Sequence, residues 1–235
     1  MASSARPRGA PIRWRSQLPC VAVRPLADDH VLRRALRELR GTDALVVTSR
    51  AGIDAVVRAL AGAPLPTSLA VVGPATAAAA RQAGLVPSFV ASRPDGAMLG
   101  RELPLPRGMV LLARSDRAGD ELPAILRRRG AEIREVVAYR TETPTARDLS
   151  AARTLLADGG AIACFASASA VDGFIELVGD DLAAGVRPVA FGPKTAARIR
   201  ARLRREPAVA ASPEPRAVAR AIARVLGEVA DGARR

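Results

Sequence analysis

Histidine, lysine, tyrosine and tryptophan each occur once in this chain of 235 residues, and cysteine occurs twice. With His30 as the only histidine, a histidine-based zinc site or a Ser-His-Asp triad would have to rest on that one side chain. It lies in a helical pattern beside Asp28 and Asp29, where a solvated residue at a helix start is expected. Cys20 and Cys164 are single and far apart, so neither a disulfide framework nor a CxxC metal knuckle is present, and a reducing, cytoplasmic compartment is expected. Aromatic residues make up 3% of the chain, too few for the stacking platforms on which single strands of nucleic acid or sugars are read. Apolar runs stay well short of the ~20 residues of a membrane-spanning helix.

The near-absence of lysine sharpens the meaning of the net charge of +13, because Lys194 is the only lysine among 36 lysines and arginines. Guanidinium groups make forked contacts with carboxylates and phosphates. The expected partner is therefore an anion, although many of these arginines, as in ILRRRG (125–130) and RIRARLRR (198–205), belong to solvated helix faces. The first 27 residues contain no acid. Pro7, Pro11 and Pro19 interrupt any amphipathic helix there, so the stretch reads as a ragged domain start rather than a transit peptide.

From residue 43 onward, apolar runs alternate with helical stripes. DALVVTS (43–49), SLAVV (68–72), MVLLA (109–113), IREVVAYRT (133–141), AIACFAS (161–167), PVAF (188–191) and PAVAA (207–211) read as strands. RAGIDAVVRAL (50–60), the alanine run after Pro74, RAGDELPAILRRRG (117–130), KTAARIRARLRR and PRAVARAIARVL read as helices, the third closed by Gly130. Such alternation with short connections predicts parallel sheets covered by helices on both faces.

The same phrases then recur. Ser49 aligns with Ser167, and Ile53, Asp54 and Val56 align with Val171, Asp172 and Phe174. Gly73-Pro74-x-Thr76 aligns with Gly192-Pro193-x-Thr195, and residues 90–103 match the layout of 210–226. The offset at the start of each match stays between 118 and 120, so the chain holds two copies of one α/β half. Each repeated phrase follows a strand, where ligands of open parallel sheets bind. Gly73 and Gly192 let backbone approach closely, proline suits the first helical turn, and the free N–H groups beyond attract an anion. Thr76 and Thr195 add hydroxyl donors, and Lys194 adds a cation. A plain helix-capping role for these Ser and Thr residues is the competing reading.

DALVVTSRAGIDAVVRAL, VVGPATAAAARQAG, VLLARSDRAGDELPAILRRRGAEIREVVAYRTETP, CFASASAVDGFIEL and VAFGPKTAARI together resemble uroporphyrinogen-III synthase, over about residues 19–226. The resemblance implies two flavodoxin-like parallel-sheet domains, with strand order 2-1-3-4-5, joined by a two-stranded linker. The second domain (28–133) is inserted into a discontinuous first domain (1–18 plus 145–235), and residues 19–27 and 134–144 are the linker strands. It also implies an active site in the cleft between the domains. There hydroxymethylbilane, a linear tetrapyrrole bearing many carboxylates, is cyclised with inversion of its last ring and loss of water, without a metal or organic cofactor. Tyr139, in the family's Y-x-T element, is the implied catalytic residue, with packing on a linker strand as its alternative role. Thr48, Ser49, Gly73, Thr76, Arg114, Ser167, Ser169, Gly192, Lys194 and Thr195 are the expected substrate-binding residues. A monomer is expected, with no nucleic-acid or membrane partner and with docking to the preceding pathway enzyme as an option.

Two departures from the family stand out. Ala113 and Ser115 replace the proline and glycine often found around Arg114. The family's opening strand, ending in Thr-Arg-Pro, and the helix after it have no match here. The first domain is therefore expected to lack a central strand, either because the true start lies upstream of Met1 or because this is a divergent, inactive relative. An arginine-rich module for polyanions and a two-lobed sugar- or nucleotide-binding protein of periplasmic type are the rivals from other classes.

Overall fold

The computed structural model describes residues 17–144, 149–157 and 161–232. The ragged start expected at the beginning of the chain lies outside them as far as residue 16, Trp14 included. The chain divides into two compact units: Val23–Glu142, and Met1–Ala22 together with Thr143–Arg235. The first of these is therefore an insertion in the second.

The inserted unit contains β1 (Ala22–Pro25), α1 (His30–Glu38), β2 (Ala44–Val47), α2 (Arg50–Leu60), β3 (Ser68–Val71), α3 (Pro74–Gln82), β4 (Phe89–Val90), α4 (Gly96–Glu102), β5 (Val110–Ser115), α5 (Glu121–Arg128) and β6 (Ile133–Glu142). Its six-stranded sheet has the order β1-β6-β5-β2-β3-β4. β2 pairs in parallel with both β3 and β5, and β6 runs parallel to β5. Counted from β2, the order is 3-2-1-4-5, not the 2-1-3-4-5 expected, so the direction of winding reverses between β2 and β5. The physical reason for the difference is that strand periodicity reports which residues are covered but not which strands are neighbours. β6, expected as a linker strand, is also the fifth strand of this sheet.

Both faces of the sheet are covered, as the unbroken apolar runs require. Leu45 and Val47, with Leu69, Val71, Leu111 and Ala113, face α1, α2 and α3. Val46, Ala70, Val110 and Leu112 face Leu99 and Leu103 of the α4 region and Leu122 and Leu126 of α5. α5 begins at Glu121, four residues later than its sequence pattern suggests, and Gly130, at φ +86°, turns the chain just beyond it. At the amino end of the sheet the buried Asp43 carboxylate accepts from the N–H groups of Arg40 (2.7 Å) and Met109 (2.9 Å), tying β2 to β5. His30 is exposed at the start of α1, with its Nδ1 2.8 Å from Asp28.

The outer unit contains α6 (Ser150–Ala157), β7 (Ile162–Phe165), α7 (Ala168–Val178), α8 (Asp180–Ala184), β8 (Arg187–Ala190), α9 (Pro193–Leu203), β9 (Ala208–Val209) and α10 (Pro215–Gly232). Its parallel sheet is β7-β8-β9, the counterpart of β2-β3-β4. One face packs on α7 and α9 around Phe165, Phe174 and Ile199, with the two phenylalanine rings edge to face at 5.3 Å. The other face packs on α10 through Val189, Val218, Ala221 and Val225. Leu18 and Cys20 also join the α7 side, where burial pushes the Cys20 thiol up to about 11. Among the described residues β7 has no strand on its second side. Its Cys164 is exposed, whereas the equivalent Val46 of β2 is fully buried between two neighbours.

Candidate functional site

Each unit presents βα turns at the carboxyl end of its sheet, and the inserted unit collects the richest set. β2 ends at Val47, so Thr48 and Ser49 fall in the turn. Ser49 is extended (φ −155°, ψ 159°) and caps α2 by accepting from the Gly52 N–H at 3.0 Å. The capping role is thus real, but it does not exhaust the residue: the Ser49 hydroxyl also lies 2.9 Å from the hydroxyl of Tyr139. Tyr139 is 8% exposed, with its ring in the core on the α2 side of the sheet.

A tyrosine at this position breaks the strand's alternation. Along β6, Ile133 packs toward α5, Val136 and Ala138 pack toward α2, and Val137 is 43% exposed. Residue 139 should follow 137 outward. Instead Arg114 pairs with Val137 and Ser115 with Tyr139, which leaves Ala138 as an extra residue. This bulge turns Tyr139 back to the buried side, where its hydroxyl meets Ser49.

Around the bulge, three residues absent from the sequence-based set come together. The hydroxyls of Ser115 and Thr141 are 2.7 Å apart. Asp116 accepts from the Thr141 N–H at 2.8 Å and from the Ser115 hydroxyl at 3.1 Å. Its own N–H donates to the Tyr139 carbonyl at 3.2 Å. A Ser-Asp pair directly after an apolar strand, like Thr48-Ser49 after β2, is the signal that could have found them.

Arg114 is not placed as a surface donor. It is 7% exposed, and its guanidinium donates to the Glu135 carboxylate and the Gly119 carbonyl, with Nε buried and unpartnered. Arg127 holds the other oxygen of Glu135 at 2.8 Å. As folded, Arg114 braces the β5–α5 loop, and both terminal nitrogens of its guanidinium are engaged within the chain.

The two Gly-Pro corners share a backbone shape. Gly73 (φ 174°) and Gly192 (φ −178°) are extended, so neither glycine is there for a left-handed conformation. They differ in what surrounds them. A Cβ on Gly73 would meet Pro94 at 2.9 Å, whereas a Cβ on Gly192 would meet nothing within 4 Å. Thr76 and Thr195 are 6% and 5% exposed on the first turns of α3 and α9, and their side chains make no hydrogen bond among the described residues. Lys194 is exposed beside Thr195. Ser167 caps α7 through the Ala170 N–H at 3.1 Å and lies 3.0 Å from the Ser169 hydroxyl. The fold therefore gathers Thr48, Ser49 and Tyr139 at one end of the inserted sheet, and Ser167 and Ser169 at one turn of the outer one.

The difference between the corners can be measured. Gly73→Ala must displace the Pro94 loop and is expected to destabilise the inserted unit by about 1–3 kcal/mol. Gly192→Ala is expected to change stability by less than about 0.5 kcal/mol. Urea unfolding of both variants decides; equal losses would remove the packing argument.

Much of the positive charge is already engaged. Arg198 and Arg202 share Asp172, Arg200 pairs with Glu206, Arg33 with Asp29, and Arg134 with Glu38. Arg129 donates to the Gly100 and Leu103 carbonyls at the end of α4. Among the described residues no group of three or more His, Cys, Asp or Glu could hold a metal ion, and no helix is long and apolar enough to cross a membrane.

The chain is similar to known proteins in sequence and in fold. In Ruminiclostridium josui the porphyrin biosynthesis protein HemD is 26% identical in an alignment of 189 positions that covers 77% of this chain; the chain spans 38% of that relative's length. The crystal structure of a mutant uroporphyrinogen III synthase from Thermus thermophilus superposes with a TM-score of 0.65 at 22% identity, covering 90% of this chain and 88% of that one. The synthetase from Helicobacter pylori superposes with a TM-score of 0.57 at 18% identity, covering 85% and 87%. At these identities the structures show a shared two-domain α/β fold. The sequence model described as uroporphyrinogen-III synthase HemD matches residues 16–219, and the chain belongs to that family.

Proposed function

We propose that this chain acts as a uroporphyrinogen-III synthase, a lyase of tetrapyrrole biosynthesis that closes hydroxymethylbilane with inversion of its last ring. Beyond family membership, the observation that carries the reading is the Tyr139–Ser49 hydroxyl pair, 2.9 Å apart at the carboxyl end of the inserted sheet. The sheet's winding reverses between β2 and β5, and open α/β sheets bind ligands at such a point. Ser49, Tyr139 and Ser115 follow or border those strands.

In this reaction the terminal C–O bond of the substrate breaks, and its oxygen leaves as water after gaining a proton. The freed methylene carbon first bonds to the substituted carbon of the last ring, making a spiro centre. The bond from that carbon to the bridge of the third ring then breaks, the bridge carbon bonds to the open α-carbon of the last ring, and the proton released there restores the donor. Ser49 is built to assist. Its oxygen accepts from the Gly52 N–H while its proton can go to the Tyr139 oxygen, leaving the phenol proton free for the departing oxygen. Within each unit, N–H groups that open helices after strands, at α2 and α3 in the inserted unit and at α7 and α9 in the outer one, are donors suited to carboxylates. The exposed Lys194 adds charge.

The experiment is incubation with hydroxymethylbilane and resolution of the product isomers. Spontaneous closure gives isomer I, so the proposal requires a clear excess of isomer III over the blank; without it the activity reading fails. The same proposal takes the protein to be a cytoplasmic monomer that receives its unstable substrate by docking with the enzyme that makes it. Sedimentation alone and with that enzyme tests those two parts.

A further inference from the structure

We propose that Asp116 is the positioning residue for Tyr139, a role that only its contacts with β6 reveal. It rests on the reading of Tyr139 as proton donor. Three contacts carry it. The Asp116 N–H donates to the Tyr139 carbonyl at 3.2 Å, its carboxylate accepts from the Thr141 N–H at 2.8 Å, and the same oxygen accepts from the Ser115 hydroxyl at 3.1 Å. Asp116 thus clasps β6 on both sides of Arg140, at Tyr139 and Thr141, immediately after the bulged Ala138.

A bulge alone leaves a strand free to slip back into regular alternation, which would send residue 139 outward with Val137. The clasp opposes that slip. At its far end the same loop is held by Arg114, which donates to the Gly119 carbonyl. Asp116 is exposed, so replacing it leaves the core untouched.

The test combines kinetics with a label. Tyr139 is the chain's single tyrosine, so 3-fluorotyrosine gives one fluorine resonance reporting its surroundings. Asp116→Ala is expected to move that resonance and to lower kcat about 10-fold, with KM changed less than about twofold, since a misplaced reacting group costs rate more than binding. Asp116→Asn keeps the accepting oxygen and is expected to restore most of both. Added to Tyr139→Phe, Asp116→Ala is expected to cost nothing further. A resonance that stays put, or losses that multiply in the double variant, would overturn the assignment. If the unaltered chain makes no excess of isomer III, the proton-donor reading fails, and the resonance still decides whether Asp116 places Tyr139.

Discussion

Tyr139→Phe is expected to slow formation of isomer III by about 10- to 100-fold, near the lower end of what a positioned proton donor contributes. The ring lies in the core with Val136 and Ala138, and phenylalanine keeps that packing. Only the hydroxyl disappears, and its partner Ser49 still accepts from Gly52. Stability is therefore expected to fall by no more than about 1 kcal/mol, the net worth of one hydrogen bond. Product-isomer analysis beside thermal unfolding separates the two roles. A large loss of stability with an unchanged rate would return Tyr139 to a packing role and remove it from the chemistry.

Gly173→Ala is expected to be the most damaging small substitution in the outer unit. A Cβ at this position of α7 would overlap the Cys20 carbonyl and press on the Cys20 side chain as well. The main obstacle is backbone, not the end of a flexible side chain, so Leu18–Cys20 would have to lift off α7. Overpacking of this kind costs about 1–3 kcal/mol, and here it also opens the cluster around Phe165, Phe174 and Ile199. Denaturant unfolding of the variant measures the loss. A midpoint equal to that of the unaltered chain would show that Leu18–Cys20 does not depend on this contact.

The fold was largely legible because the repeat and the periodicities are local properties. β2, β3 and β5 are apolar on both faces, and the stripe Ile53, Val56, Val57 and Leu60 marks α2. The duplicated Ser49/Ser167 caps have the same geometry in both units. The sheet order was not legible, because which strand lies beside β2 depends on pairing between residues far apart in the chain. Nor were the contacts of Arg114: a guanidinium after a strand reads as a ligand donor until Glu135 and Gly119 are seen to occupy it.

Two α/β halves and their hydroxyl-bearing turns thus follow from the residues in order, and the arginine content sets the expectation of an anionic partner, since composition and spacing at an offset near 119 depend on nothing beyond the chain. Which of those residues lie together was settled by folding. It added one residue to β6 at Ala138, turned Tyr139 inward to Ser49, and set Asp116 against the same strand. It also distinguished Gly73, crowded by Pro94, from Gly192, which faces open space. Each of these depends on a neighbour brought in from elsewhere in the chain, and a local pattern carries no record of it.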